Sequence, residues 1–376
     1  MKALKTIGIV GGGQLGRMLT QAAVGLGFQV VVVNPAENSP AFQVGAQEIV
    51  GDLYDQEALK QLAKVSDVIT IEIEHLNADA LGIIAKSKHV FPNPNVIKLI
   101  QDKYQQKEFL QENGIAVADF VDIKNSTSAK NALKEFGGKM LLKAKHGAYD
   151  GRGNAVVSNA QELDDALKQF EGRELYAEAY VPFSKELAVM VARNTQGEVK
   201  SFPVTETFHE RNICIETQTP ADIPKQTTKK AEDLAKLVVQ KLNSAGTFGI
   251  EIFLTADGEV LVNEVAPRVH NSGHYTIEAC KTSQFEQHIR AITGMKLGSV
   301  DMKVPAAVMI NILGERDGET IINSDRDLAQ SPNVTIHLYG KSPTKIDRKM
   351  GHITATGKTL KEARTSAQKT RLSIEI

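Results

Sequence analysis

The densest chemistry in this sequence lies in NEVAPRVHNSGHYT, residues 263–276, where an acid, an arginine, two histidines and an amide-rich turn crowd the end of a strand. That strand reads as the second arm of a hairpin, GIEIFLTADGEVLVNEV. If Asp257 and Gly258 form a two-residue type I′ turn, facing residues have numbers summing to 515, and Glu251 stands opposite Glu264. Like charges directly opposite on a sheet are destabilising unless something positive lies between them. Magnesium, which takes a few carboxylates and completes its shell with phosphate oxygens, would resolve the conflict, so Glu251 and Glu264 are the candidate metal ligands. The competing reading is an exposed strand pair whose glutamates a bulge keeps apart; the apolar neighbours Ile252, Phe253, Leu261 and Val262 weigh against it.

Two glycine-rich stretches could hold phosphate. In LLKAKHGAYDGRGN, Lys143 and Lys145 share a strand face, and a loop with Gly147, Gly151 and Gly153 carries Arg152 at its tip. Lysines so spaced are usually solvated, but here they adjoin a loop suited to closing over a polyphosphate. It is not a P-loop, since no GK[ST] opens a helix. Nearer the N-terminus, Gly11, Gly13 and Gly16 fit GxGxxG between a strand and a helix. A dinucleotide site also wants an acid closing the second strand, where this chain has Asn34, so a different phosphate ligand or tight packing are the leading readings.

The elements that must position these groups alternate at first. TIGIV, a helix to about Leu26, FQVVVV, a helix QEALKQLAKV and a third strand DVITIEIEH predict a doubly wound parallel domain over residues 1–100. One helix, IKLIQDKYQQKEFLQENG, opens a second domain over 101–295, whose strands come as hairpins in an α+β texture. A third, over 296–376, contains PAAVMINIL, VTIHLYGK, the basic DRKMGHI and a helix TLKEARTSAQKTRL.

Composition excludes several classes. With 44 Lys+Arg against 45 Asp+Glu, no global field draws in nucleic acid or an anionic membrane. Cys214 and Cys280 lack the spacing of a zinc site or a disulfide framework and fit structural thiols in a reducing compartment. The N-terminal apolar run is too short for a signal peptide and no stretch is long enough to span a membrane, so the expectation is a soluble, cytoplasmic protein.

The order GGGQLGRM, EIEH, LLKAKHGAYDGRG, EAYV, Glu186, FGIEIF, NEVAPRVHNSGH and RKMGHI closely resembles the 5-(carboxyamino)imidazole ribonucleotide synthetases of purine biosynthesis, members of the ATP-grasp superfamily. YDGRG and APRVHNSGH are the specific parts, and the match runs the whole chain. The resemblance implies a Rossmann-like domain, an ATP-grasp domain and a small C-terminal domain, usually in a homodimer. It implies ATP-dependent carboxylation of 5-aminoimidazole ribonucleotide by bicarbonate, through carboxyphosphate, with magnesium. Lys103, Lys143 and the loop of Ala148, Tyr149, Asp150, Gly151, Arg152 and Gly153 would contact the ATP phosphates, with Asn263 and Glu264 close by. Glu178, Ala179, Tyr180, Val181 and Glu186 would hold adenine and ribose, with His209 near this pocket. Gln14, Leu15, Glu72, His270, Asn271, Ser272, His274, Lys341, Arg348 and Lys349 would meet the ribonucleotide and bicarbonate. Asp150, Arg268 and Lys349 would act in catalysis: Arg268 on developing charge, the other two on proton transfer, with pure phosphate binding the alternative for Lys349. Either histidine is equally readable as a structural hydrogen-bonding residue. One departure is Ala266, where many ATP-grasp enzymes carry an asparagine, which bears on a second magnesium.

Two rivals are kept. A formate-dependent glycinamide ribonucleotide transformylase typically carries an HDTG turn where this chain has His270, Asn271, Ser272 and Gly273. A catalytically silent nucleotide sensor would not need Lys143, Glu251, Glu264 and Arg268 all intact.

Overall fold

The computed structural model describes residues 5–147, 153–324 and 332–376. The first sheet is built from β1 (Thr6–Val10), α1 (Gln14–Gly25), β2 (Gln29–Asn34), β3 (Gln47–Val50), α2 (Gln56–Val65), β4 (Val68–Ile71), α3 (Ala78–Ile84) and β5 (His89–Val90). All its pairings are parallel, in the order β3-β2-β1-β4-β5. The reversal of winding falls between β1 and β4, whose carboxyl ends therefore flank the crevice where doubly wound sheets bind ligands. The strand over 68–71 is the fourth, not the third: QEIV makes an edge strand too short and too mixed to stand out by pattern.

The expected long helix is two, α4 (Pro94–Gln101) and α5 (Lys103–Glu112). Asp102 breaks it by turning extended and capping α5: its Oδ1 accepts the backbone N–H of Tyr104 and of Gln105, each at 3.0 Å. The break re-aims α5 so that Lys103 and Lys107, four residues apart on one face, point the same way.

A four-stranded antiparallel sheet follows, in the order β6-β9-β7-β8, from β6 (Phe120–Ile123), β7 (Met140–Ala144), β8 (Asn154–Val157) and β9 (Leu175–Ala179). It is backed by α6 (Ser126–Glu135) and α7 (Ala160–Gln169), whose Ala129, Ala132, Leu163 and Ala166 share a core with Leu142 and Ala177. The large sheet takes β10 (Phe183–Arg193), β11 (Val199–Ser201), β12 (Thr205–Glu210), β13 (Ile213–Thr219), β14 (Gly246–Thr255) and β15 (Val260–Ala266), with α8 (Lys225–Leu242) across one face. Alternation decides the faces: Leu187, Val189, Val191, Ile250 and Ile252 pack with Ala231, Ala235 and Val238 of α8, which leaves Glu186 and Glu251 on the opposite face.

After α9 (Thr276–Ala279) and α10 (Gln284–Ile292), β16 (Ala306–Leu313) pairs with β13 and carries the large sheet onward. The other late strands and helix are β17 (Asn323–Ser324), β18 (Val334–Leu338), β19 (Lys349–Gly357), α11 (Leu360–Leu372) and β20 (Ile374–Glu375). The main path of the sheet therefore reads β15-β14-β10-β12-β13-β16-β19-β18, joining the last segment to the middle one through hydrogen-bonded strands. Both cysteines are buried and neither is in a disulfide, and no described helix is long and apolar enough to cross a membrane.

Candidate active site

The hairpin β14–β15 does set Glu251 opposite Glu264, by a different route from the one its spacing suggests. Near the turn the partners are Leu254 with Val260 and the Thr255 N–H donates to Glu259 C=O, so three residues, Ala256 to Gly258, make the turn, with Gly258 at a φ of 86°. This is the type I turn plus left-handed glycine, not the two-residue type I′ turn. The register recovers at a bulge, where Ile252 faces Val262 but Glu251 faces Glu264 and Asn263 is the extra residue. Without it, Glu264 would fall opposite the buried Ile250; the bulge turns its carboxylate out of the core and onto its rival.

Helix α5 carries the compensating charge. Gln106 Oε1 accepts the Val265 N–H at 3.0 Å and docks the helix on β15. Lys103 Nζ then reaches Glu264 Oε2 at 2.9 Å, while Lys107 Nζ lies 3.3 Å from Glu178 on the smaller sheet. Glu178 also takes Lys143 Nζ at 2.8 Å and the Tyr176 hydroxyl at 3.0 Å. Burial pushes the Glu178 carboxyl up, but Lys107 and Lys143 outweigh it and hold it at about 2. Two ammonium groups on one carboxylate leave positive charge facing a place where a polyphosphate would be welcome. Lys107, buried at 2% exposure, is absent from the sequence-based assignment; its spacing from Lys103 is the signal that marks it.

Glu251 is left over. Burial, then Glu264, raise its carboxyl to about 7. Asn263 Nδ2 lies 3.4 Å from its Oε2. Across the sheet, His209 Nδ1 meets Glu186 at 2.8 Å; burial opposes the imidazolium, but Glu186 and Glu251 raise its pKa overall. Among the described residues no cluster of three or more His, Cys, Asp or Glu could hold a metal, so a cation here would have this pair as its protein ligands and draw the rest from phosphate and water. Two opposed carboxylates, one with a raised pKa, fit that demand.

Ala179, Tyr180 and Val181 follow Glu178 at the end of β9; Lys139 Nζ stands 3.5 Å over the Tyr180 ring. Gly153 has a φ of 91° and its C=O accepts the Ala144 N–H at 2.9 Å. Ala148, Tyr149, Asp150, Gly151 and Arg152 lie outside the described residues. Lys145, the other lysine of that strand face, is paired with Asp122 at 2.7 Å.

A second group lies at the crevice of the first sheet. Gln14, Leu15, Glu72, Arg268, His270, Asn271, His274 and Lys349 line one cavity of about 240 Å³ together with Ile73, Glu74 and His75. Ser272 does not line it: it is buried, with Oγ 2.9 Å from His270 Nδ1. Lys341 and Arg348 are also absent from the lining; Lys341 Nζ donates to the Lys349 C=O at 2.9 Å and Arg348 donates to the Pro343 C=O.

Glu72 settles the fate of the glycine motif. Its carboxylate accepts the N–H of Gly13 at 2.5 Å and of Gly16 at 2.6 Å, occupying the anion position at the start of α1. A Cβ on Gly11 would come within 2.3 Å of the Glu72 side chain, and one on Gly16 within 2.7 Å of the Gly11 C=O. Asn34 accepts the Gly12 N–H at 3.3 Å, so the loop's glycines serve close packing around an internal carboxylate.

Arg268 is held in a two-point grip by Glu74, through Nε to one oxygen and Nη2 to the other at 2.9 Å. Burial would raise the Glu74 carboxyl, but Arg268 brings it to about 2, so both stay charged. His270 joins the two groups of residues: it lines the cavity and its Nε2 lies 3.5 Å from Glu251 Oε1. The Ser272 N–H donates to its Nδ1, which puts the proton on Nε2, facing Glu251. Burial, then Arg268 and Lys349, lower its pKa to about 3, and burial lowers that of His274 as well, so neither takes up a proton near neutrality. Gly249 makes room for the approach: a Cβ there would sit 2.6 Å from that of His270.

Family models match this chain in series: a ribonucleotide synthetase preATP-grasp domain over residues 4–101, an ATP-grasp domain over 108–285 and a phosphoribosylaminoimidazole carboxylase C-terminal domain over 307–366. The phosphoribosylaminoimidazole carboxylase of Schizosaccharomyces pombe is 44% identical, over 94% of this chain and 65% of its own. The chain thus spans just under two thirds of the length of that relative. The N5-carboxyaminoimidazole ribonucleotide synthase of Bacillus subtilis is 40% identical over 93% of this chain and 90% of its own. A crystal structure of the Aspergillus clavatus synthase in complex with ADP and 5-aminoimidazole ribonucleotide superposes with a TM-score of 0.90, at 37% identity and 98% coverage of both chains. With three family models in the same order and close likeness over nearly its full length, the chain belongs to the N5-carboxyaminoimidazole ribonucleotide synthetase family of ATP-grasp ligases.

Proposed function

We propose that this chain joins bicarbonate to the exocyclic amine of 5-aminoimidazole ribonucleotide, at the expense of ATP, giving 5-(carboxyamino)imidazole ribonucleotide, ADP and phosphate. The observation that carries the reading is the position of His270, which touches both the carboxylate pair and the cavity of the first sheet. Nucleotide chemistry and acceptor chemistry then meet across one side chain.

On this reading Lys103, Lys143 and the loop over 148–153 bind the ATP phosphates, Ala179, Tyr180, Val181, Glu186 and His209 surround adenine and ribose, and Glu178 acts from behind by holding Lys107 and Lys143. Glu251 and Glu264 hold magnesium, which when bound supplies positive charge to the transferring phosphoryl group. A bicarbonate oxygen attacks the γ-phosphorus and ADP leaves, giving carboxyphosphate. The amine nitrogen then attacks its carbon, the bond to phosphate breaks, and the amine loses a proton. Because His270 and His274 are held neutral, Lys349 and Asp150 are the groups assigned to that proton, with Arg268 facing the developing negative charge. Gln14, Leu15, Glu72, Asn271, Lys341 and Arg348 form the ribonucleotide side, while Ser272 acts from behind by orienting His270. The reading includes a cytoplasmic homodimer.

Phosphate release tests it. ADP and phosphate should form only when the aminoimidazole ribonucleotide and bicarbonate are both present, with labelled bicarbonate entering the product. Incorporation of formate with glycinamide ribonucleotide, and indifference to bicarbonate, would replace this reading with the transformylase.

A further inference from the structure

Asn311 lies on β16, forty residues from the crowded turn, at 3% exposure. Its side chain forms a two-bond ring with Asn271: Asn271 Nδ2 donates to Asn311 Oδ1 at 3.0 Å, and Asn311 Nδ2 donates to Asn271 Oδ1 at 2.7 Å. The other N–H of Asn311 donates to the Cys214 backbone C=O on β13 at 2.8 Å. A carbonyl can only accept, so Cys214 fixes which end of the Asn311 amide is nitrogen. The ring then fixes Asn271 in turn. Of the Asn271 amide, the oxygen and one N–H are committed to Asn311, and the second N–H belongs to a side chain that lines the cavity with Gln14, Glu72 and Lys349.

The backbone of the turn is secured by other means. Gln284 accepts the His270 N–H at 2.9 Å and donates to the His270 C=O at 2.7 Å, and Thr276 Oγ1 donates to the Gly273 C=O at 2.6 Å. Asn311 is thus not needed to hold the loop. What it controls is the sense of one amide, which without it could rotate to show the cavity an oxygen.

We propose that Asn311 is a positioning residue for the acceptor site: through Asn271 it presents a fixed N–H donor to a hydrogen-bond acceptor of the ribonucleotide, an oxygen of its ribose or phosphate. This rests on the ribonucleotide reading above. A flipped Asn271 would oppose oxygen to oxygen, so the pair also selects an acceptor over a donor at that point of the ligand.

The test compares Asn271→Ala, Asn311→Leu and the double variant, reading KM and calorimetric Kd for 5-aminoimidazole ribonucleotide, KM for ATP, and melting temperature. Asn311→Leu should weaken the ribonucleotide about tenfold and leave the ATP constant unchanged, the scale of one hydrogen bond. The double variant should be no weaker than Asn271→Ala alone, because the second change acts only through the first. Asn311→Ala, which removes the ring without adding bulk, should show the same affinity loss and serves if the leucine variant does not fold. Affinity losses that multiply in the double variant, or a lowered melting temperature with wild-type ribonucleotide binding, would overturn the proposal. Wild-type protein that neither binds nor turns over the ribonucleotide would instead overturn the functional reading and the proposal built on it.

Discussion

The loop after β1 and the hairpin β14–β15 both look, in sequence, like places that need an ion, and they are answered differently. In the loop, the amides of Gly13 and Gly16 are met by the chain's own Glu72, whose carboxyl burial raises while those amides, Lys341 and Arg268 pull it back down. In the hairpin, Glu264 has Lys103, but Glu251 faces Glu264 and is pushed to about 7. The lesson is that a motif's shape does not reveal whether its charge is satisfied. A site is marked by what remains unbalanced after the protein's own groups have paired.

The strongest way to break this comparison is Glu264→Gln. If the hairpin's imbalance exists to hold a cation, turnover should fall about a thousandfold, in line with the several kcal/mol such a charge contributes. Phosphate release at limiting magnesium measures it, and wild-type rates would remove the hairpin from the chemistry.

On the other side of the comparison, Glu72→Ala should act on the fold. It strips two part-buried amides of their acceptor and should destabilise the chain by about 1–3 kcal/mol in urea unfolding. Added inorganic phosphate, able to take the carboxylate's place, should restore part of the loss. Wild-type stability would mean that water satisfies those amides equally well.

The smallest effect carries the sharpest sign. The folded-state pKa of Glu251 is raised to about 7, above the ~4.3 of an unfolded glutamate. The native state therefore holds the proton more tightly, and this group's contribution to stability declines as pH rises from about 4.3 to about 7. Glu251→Gln, which cannot ionise, should melt higher than wild type at pH 8 and equally at pH 4, in the absence of nucleotide. With solvent reaching the pair, about 1 kcal/mol is expected. A higher melting point at pH 4 instead, or none at pH 8, would show that the carboxylates do not strain the hairpin.

Local pattern carried part of this structure. The parallel domain follows from apolar periodicity, which acts over a few positions. The hairpin also shows how a right partner can come from an incomplete rule: a three-residue turn shifts the register by one and the bulge at Asn263 shifts it back. Asp102 could have been read as a helix breaker, since an aspartate followed by a helix-forming run is a natural N-cap. Other features were out of reach. Glu72 filling the glycine loop joins residues 59 and 56 positions apart, and Asn311 reaches Cys214 across 97. Such contacts depend on how sheets are placed against each other, for which no spacing along the chain is a signal. The family resemblance could bring forward the residues of the site but not the internal pairing that distinguishes Lys107, Glu74 and Asn311.

The most direct test of the unbalanced pair is the proton count on binding Mg·ADP, obtained by titration calorimetry at pH 6 in two buffers of different ionisation enthalpy. Glu251 is mostly protonated at that pH when its carboxyl sits at about 7, and a cation held between the glutamates would displace the proton. Close to one proton should therefore be released at pH 6, falling toward zero by pH 8 and abolished in Glu251→Gln. Binding that releases no proton at pH 6, or a release that survives in Glu251→Gln, would contradict the placement of the cation at this pair.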